Sequence, residues 1–166
     1  MNKTVLTHRV KNVGVNNFIP RKGSPVPLCL VRQYPTKIIV AWGEAISGNK
    51  KIKDWLTENG YPELSCFVYA LQLQDGARKW LMDNNCPELM ALVMGSEGDK
   101  NALNWLRANS YSKLALIAEG ADNDNTAIEE LLKMDEKEWA MISLKIRAIK
   151  NAIQEDNDDW HKQSRR

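Results

Sequence analysis

The chain has 166 residues, of which 43% are hydrophobic and 27% charged, so it is long enough and ordinary enough in composition to bury a core. No run approaches the roughly 18 apolar residues that a membrane-spanning helix needs, which predicts no membrane contact. Charges interrupt the start of the chain, where a secretion signal would be apolar, and this favours a cytoplasmic protein.

The net charge of +2 hides an uneven distribution along the chain. Residues 1–43 carry seven basic side chains and no acidic one, whereas the remainder is mildly acidic. Four of the six prolines and several β-branched residues lie within residues 1–36. We therefore predict that residues 1–36 form a basic, extended N-terminal arm.

A repeat of 25 residues follows the arm. The phrase WLTENGYPEL at 55–64 returns as WLMDNNCPEL at 80–89 and as WLRANSYSKL at 105–114. Counted from residue 37 as position 1, the chain divides without insertions into five units and a polar tail. The units are 37–61, 62–86, 87–111, 112–136 and 137–161, and the tail is 162–166.

Each unit predicts two helices. Positions 3, 6, 7 and 10 are mostly apolar, which is one face of a helix of about ten residues. Positions 16, 19 and 20 give the second helix the same kind of face. Small residues at positions 9 and 16 would allow helices to approach closely. The twentieth position is leucine in four units, namely Leu56, Leu81, Leu106 and Leu131.

Short polar side chains mark both ends of the second helix. A side-chain oxygen at its start can accept a hydrogen bond from a free backbone N–H, and Asn at its end tolerates the left-handed conformation that closes a helix. Pro62 and Pro87 then begin the next helix, followed by Glu63 and Glu88 in its first turn. The predicted caps are Asn49, Asp99 and Asp124 at the start and Asn59, Asn84 and Asn109 at the end.

Stacking is the only way for units of this size to bury their apolar faces. The predicted fold is therefore all-α, a right-handed α-solenoid of about five two-helix repeats preceded by the arm. Unit 137–161 has Glu155 and Asp156 where earlier units have Trp-Leu, so we predict that it is a terminal cap with a polar outer face.

The two-helix units resemble α-solenoid proteins, including ankyrin-type repeats without their hairpin fingers and leucine-rich repeat variants. The segment GDKNALNWLRANSY at 98–111 also looks like tandem GDxxAxxWLxxNGYPEL proteins of bacteria. The resemblance covers residues 37–136, departs at 137–161 and omits the arm. It implies a fold and a binding role, and it carries over no catalytic residue because the shared positions are those that pack or cap.

Residues suited to catalysis or metal binding are few. Three cysteines follow no CxxC spacing and two histidines lie near the two ends, which argues against a disulfide framework, a zinc site and histidine chemistry. We expect Cys66 and Cys86 to be inert thiols, and the acidic cluster around Asp122 and Asp124 to be a solvated face. No catalytic, metal or cofactor-binding residue is predicted.

Two surfaces remain as candidates for binding. Tyr69, Met90 and Met94 lie near one another at positions 8 and 4 and would suit a protein or peptide, although a wide core would explain them equally. Trp55, Trp80 and Trp105 form a column that we interpret as core, with a stacking ladder as the alternative. The basic arm is the candidate for nucleic acid, through Arg9, Lys11, Arg21, Lys22 and Arg32.

The sequence thus favours a non-enzymatic scaffold that binds a protein or peptide. The alternative is a nucleic-acid-associated protein that uses the basic arm, and an enzyme is the third hypothesis. The partner and the oligomeric state stay open.

Overall fold

The computed structural model describes residues 34–163, with side chains as far as residue 156. This part of the chain consists of nine α-helices and contains no strand, which confirms the all-α prediction for it. The helices are α1 (Thr36–Ile46), α2 (Lys50–Glu58), α3 (Pro62–Leu71), α4 (Asp75–Asp83), α5 (Pro87–Ser96), α6 (Lys100–Ala108), α7 (Ser112–Ala121), α8 (Asn125–Lys133) and α9 (Lys137–Gln163).

The helices recur with the period of the sequence. The odd-numbered helices, here called first helices, begin each unit, and the even-numbered ones, called second helices, follow them. Pro62 and Pro87 occupy the first turns of α3 and α5, as predicted. The second helices begin 25 residues apart, at Lys50, Asp75, Lys100 and Asn125.

The predicted N-caps are confirmed. The side chain of Asn49 accepts from the N–H of Ile52 at 3.3 Å, and Asp99 accepts from two backbone N–H groups of α6. Asp124 accepts from the N–H of Thr126 at 2.8 Å. These bonds satisfy backbone donors that the first turn of a helix leaves free.

The predicted left-handed residues are wrong by one position. Asn59 has φ of −102°, and the residue after it, Gly60, has the positive φ. The N–H of Tyr61 then bonds the carbonyl of Leu56 at 2.9 Å, which is the pattern of a Schellman C-cap. Every joint between consecutive helices holds one such residue, namely Gly48, Gly60, Leu73, Asn85, Gly98, Ser110, Asn123 and Asp135.

The asparagines that precede these residues cap the helix in another way. Their side-chain Nδ2 atoms donate to the carbonyl four residues earlier, at distances of 2.8 Å for Asn59 and Asn84 and 2.9 Å for Asn109. Each of these carbonyls also accepts from the backbone N–H of the same asparagine, at 3.0 Å, so the side chain adds a second bond at the end of the helix. This role explains the asparagine column without any left-handed conformation at it.

Leu73 occupies a left-handed position without being glycine, with φ of 61°. Because this conformation brings Cβ of an L-residue too close to its carbonyl, and because the side chain is exposed, we expect Leu73→Gly to stabilise the fold by about 1 kcal/mol. Urea unfolding would show a higher midpoint. The matched control is Gly48→Ala in the same column, where a Cβ meets no atom within 4 Å and only conformational cost is added. A lower midpoint for Leu73→Gly would contradict the prediction.

The core lies between the first helices and the inner faces of the second helices. The leucine column at position 20 is fully buried in all four units, as are Trp42, Phe67, Leu92 and Ile117 at position 6. The apolar stripes predicted from the sequence therefore face the core.

Small residues at position 9 let neighbouring helices approach, as predicted. A Cβ placed on Gly95 would lie 3.1 Å from Cβ of Ala118 in the next first helix and 3.0 Å from Cδ2 of Leu103 in its own second helix. On Gly120 it would lie 2.4 Å from Oγ of Ser143. Position 9 of one unit thus contacts position 7 of the next, and no larger side chain fits there without displacement.

Helix α9, which begins unit 137–161, packs against α1 as well as against α7. A Cβ on Gly43 would lie 2.8 Å from Cε of Met141 and 3.3 Å from Cδ of Lys145, and Lys145 forms an ion pair with Glu44 at 3.1 Å. Gly43 is at position 7 and Lys145 at position 9, so unit 1 follows unit 5 just as unit 4 follows unit 3. An open solenoid has contacts only between neighbouring units, and this array instead returns to its start.

Helix α9 differs from the other first helices in length. It has 27 residues and is about 40 Å long, whereas α7 has ten and is about 15 Å long. Each second helix contacts the first helix before it and the one after it, but no second helix of the described region lies against both α9 and α1. The prediction of two helices is therefore wrong for unit 137–161, which forms one continuous helix that packs on α1.

Candidate interaction surfaces

The three predicted partner-binding residues lie at the edge of the core. Tyr69, Met90 and Met94 are each half-buried and pack against the core residues. The Nζ atom of Lys53 stands 4.0 Å from the centre of the Tyr69 ring, a cation–π contact between α2 and α3. Part of each side chain is therefore structural, and part remains accessible to a partner.

Position 8 faces the second helix of the preceding unit. Besides the Lys53–Tyr69 contact, an ion pair joins Arg107 at position 21 of α6 to Glu119 at position 8 of α7. The repeat places Met82 and Met94 at the same two positions of the α4–α5 pair. We call this row of positions 8 and 21, from α2 to α9, the seam face, formed by Thr57, Tyr69, Met82, Met94, Arg107, Glu119, Leu132 and Leu144.

Large apolar side chains are exposed on the seam face. Met82 is 55% exposed, and Leu132 and Leu144, which replace the ion pair at the α8–α9 pair, are 50% and 47% exposed. Met134 is exposed close to Leu132 in sequence. The sequence analysis found position 8 but missed position 21, because position 21 lies outside the apolar stripe and its orientation depends on how the units pack.

The tryptophan column divides between core and surface. Trp80 is buried, as the core interpretation predicts, whereas more than a third of Trp55 and Trp105 is exposed. The ring of Trp105 stacks on Tyr111 with centroids 6.0 Å apart and planes 13° apart. Because Trp80 is inaccessible, the three rings do not form a continuous ladder for bases or sugars.

The basic residues predicted to contact nucleic acid, Arg9, Lys11, Arg21, Lys22 and Arg32, all lie outside the described residues. Within the described region, ion pairs engage cations mainly from Arg78 onward. Lys37, Lys50 and Lys51 form no ion pair with described residues, and Trp55 is exposed one turn after Lys51.

Two carboxylates that were predicted as first-turn charges are buried. Glu63 and Glu88 stand at the same position of α3 and α5, and each is almost inaccessible. The hydroxyl of Tyr34 donates to Oε1 of Glu63, while Oε2 of Glu63 has no hydrogen-bond partner among the described residues. Burial raises the pKa of Glu63; the Tyr34 hydrogen bond opposes this increase, and the nearby Glu88 adds to it.

Because its folded-state pKa is raised, Glu63 should make stability fall with increasing pH. The group binds more protons in the folded than in the unfolded chain between the ordinary carboxyl pKa of 4.5 and its own raised value. Urea unfolding of the wild type and Glu63→Gln from pH 4.5 to 8 should show the wild type losing stability relative to the variant as the pH rises. Parallel pH profiles would contradict this.

Other candidate sites have structural roles. Cys66 and Cys86 are free and buried, and burial, with Cys86 as a smaller cause, raises the pKa of the Cys66 thiol, which supports their interpretation as inert. Hydrogen bonds from Thr126 lower the pKa of Asp124, in keeping with its capping role. The described part of the chain holds no group of three His, Cys, Asp or Glu side chains arranged to bind a metal ion. Residues 97–99, which include the left-handed Gly98, form the joint between α5 and α6.

None of the helices between residues 34 and 163 is both long and apolar enough to cross a membrane. Comparisons with protein-family models, with curated proteins and with solved structures found no match to this chain.

Proposed function

We propose that this chain is a non-enzymatic helical-repeat scaffold of the cytoplasm that binds a protein or peptide along the seam face. The observation that carries the proposal is the exposure of Met82, Leu132 and Leu144 at positions where the α6–α7 pair has the Arg107–Glu119 ion pair. Methionine and aromatic side chains are enriched at protein interfaces, and Met adapts its shape to a partner.

The arrangement of the seam face suits an extended ligand. The apolar residues of the seam face recur at the same two positions of successive units. The Arg107–Glu119 ion pair lies between them and is polar. A peptide lying across several units would place apolar side chains at Met82 and Met94 and again at Leu132 and Leu144. We also propose that the units wind in the right-handed sense of α-solenoids, tightly enough to bring unit 5 back to unit 1.

Charged substitutions on the seam face test this function. Affinity purification from the native host should recover partners with the wild type but lose them with the double variant Leu132→Asp/Leu144→Asp, because an unpaired carboxylate would be buried against the apolar partner. The matched control is Leu73→Asp, which adds the same charge at an exposed leucine outside the seam face. If all three proteins retain the same partners in the same amounts, the seam face is not the binding surface.

The nucleic-acid alternative is supported by Lys37, Lys50 and Lys51, which have no ion pair among the described residues, and by the exposed ring of Trp55. Cationic grooves with exposed aromatic rings bind single strands through phosphate contacts and base stacking. Salt-sensitive retention on single-stranded DNA that is lost on deleting residues 1–33 and weakened by Lys50→Gln/Lys51→Gln would favour this function. No retention at low salt would remove it.

A further inference from the structure

Five grooves lie between consecutive first helices, counting the one between α9 and α1. A second helix covers four of them, but no second helix among residues 34–163 covers the α9–α1 groove. The groove between α9 and α1 is formed by Val40 and Glu44 on one side and Met141 and Lys145 on the other, and no helix of the described region covers its outer side.

Val40 is exposed at this groove. Position 4 of a first helix faces the preceding second helix, as the hydrogen bond from Oγ of Ser65 to the carbonyl of Lys53 at 2.6 Å shows. Ser65, Ala115 and Ala140 at this position are buried. Val40 at the same position of α1 is 42% exposed, because no second helix of the described residues lies against it.

The segment that would have formed the missing helix continues straight from α9. Earlier units break after the first helix at a left-handed residue of position 12, whereas position 12 of unit 5 is Ala148 inside α9. Beyond it, Ala152 stands at the position where Ala77, Ala102 and Ala127 are buried. Ile153 corresponds to the buried Ile128 of α8.

We propose that the C-terminal part of α9, from Asn151 onward, fills the α9–α1 groove of a second copy of this chain, and that the two copies exchange these segments reciprocally. Ile149 and Lys150 stay with their own chain, since Ile149 packs on its core and Lys150 forms an ion pair with Asp122. The extension is long enough to reach, because the 13 residues of helix from Asn151 to Gln163 span about 20 Å. A twofold exchange of identical elements supplies each copy with the second helix that its own chain does not fold back.

Charge favours this occupant. Second helices run antiparallel to first helices, so the end of an incoming segment lies near the starts of α1 and α9. Glu155 and Asp156 would then face Lys37, which forms no ion pair among the described residues, and the positive ends of two helix dipoles. Asp156 stands where the other second helices bury leucine, and Lys37 explains how a carboxylate is accepted there. Lys145 replaces a small residue at position 9, and its bonds to Glu44 and Ser47 direct its ammonium group toward α1.

Sedimentation velocity of the full chain tests the exchange. The wild type should sediment as a dimer, whereas Val40→Glu in the groove and Ile153→Glu in the segment should each sediment as monomers with unchanged helicity by circular dichroism. Leu73→Glu is the control, since it places the same charge at an exposed leucine outside both the groove and the seam face. A monomeric wild type, or a dimer that survives Val40→Glu, would overturn the proposal.

A disulfide between copies supplies the second measurement. Val40→Cys and Ile153→Cys, each in a Cys29→Ser background, should form a linked dimer when the two single variants are mixed and oxidised. If a chain carrying both substitutions instead links within itself, the segment folds back onto its own groove and the second copy is not the occupant. The four groove residues are not part of the seam face. Either proposal can therefore fail while the other holds.

Discussion

Leu81→Ala and Leu106→Ala should each lower the free energy of unfolding by about 2–5 kcal/mol. Both side chains are fully buried at position 20 of α4 and α6, between the first helix of their own unit and that of the next. Truncation removes apolar contacts on both sides, and the backbone around the cavity is held by Schellman caps at each end of the helix, so relaxation is limited. Urea unfolding followed by circular dichroism measures the loss.

The neighbouring residue supplies a control for the first variant. Met82 follows Leu81 directly and is exposed, so Met82→Ala should change stability by no more than about 0.5 kcal/mol. If Leu81→Ala and Met82→Ala had similar effects, α4 would be rotated about its axis relative to the structure described above.

Local features of the fold were predictable from the sequence because they depend on local chemistry. The N-caps at Asn49 and Asp99 and the prolines that begin α3 and α5 act within a few residues of their own position. The left-handed residue was misplaced because Asn59 and Gly60 both tolerate that conformation, and only the bond from the Asn59 side chain to the Trp55 carbonyl separates their roles.

Features that depend on how units pack were not predictable. The hydrogen bond to Glu63 comes from Tyr34, 29 residues earlier and outside the repeat, so no periodicity signals it. The return of α9 to α1 depends on small angles between successive units, which add up around the array. Gly43 is a residue of α1 whose type reflects this contact, since glycine at position 7 leaves room for Met141. Its role can be recognised only when the contact between α1 and α9 is known.

For the candidate surfaces, the sequence identified position 8 but not its partner at position 21. Tyr69 and Met94 were distinguishable because they stand between Glu44 and Glu119 in the same column of the repeat. The exposure of Leu132 depends on the orientation of α8 against α9, which pattern alone does not fix. Apolar residues outside the stripe of an amphipathic helix are therefore the signal that would have found the rest of the seam face.

Trp42→Ala should be the most destabilising single change, at about 3–5 kcal/mol, because the ring is fully buried where the array closes. It packs edge-to-face on Phe67 with centroids 4.8 Å apart and on Trp139 with centroids 6.4 Å apart. Its Nε1 atom has no hydrogen-bond partner among the described residues, so Trp42→Phe should cost much less, since it keeps most of the apolar contact and removes a buried donor.

The double variant Trp42→Ala/Trp139→Ala tests closure itself. If α1 and α9 pack as described, the two single losses should not add, and a coupling of about 0.5–1.5 kcal/mol should remain. Amide hydrogen exchange should also quicken in both α1 and α9 of Trp42→Ala, because each helix loses the same contact. In an open array the two rings would lie at opposite ends, their substitutions would be additive, and exchange in α9 would not respond to residue 42. Additive losses of stability would therefore contradict the closed array and support an open one.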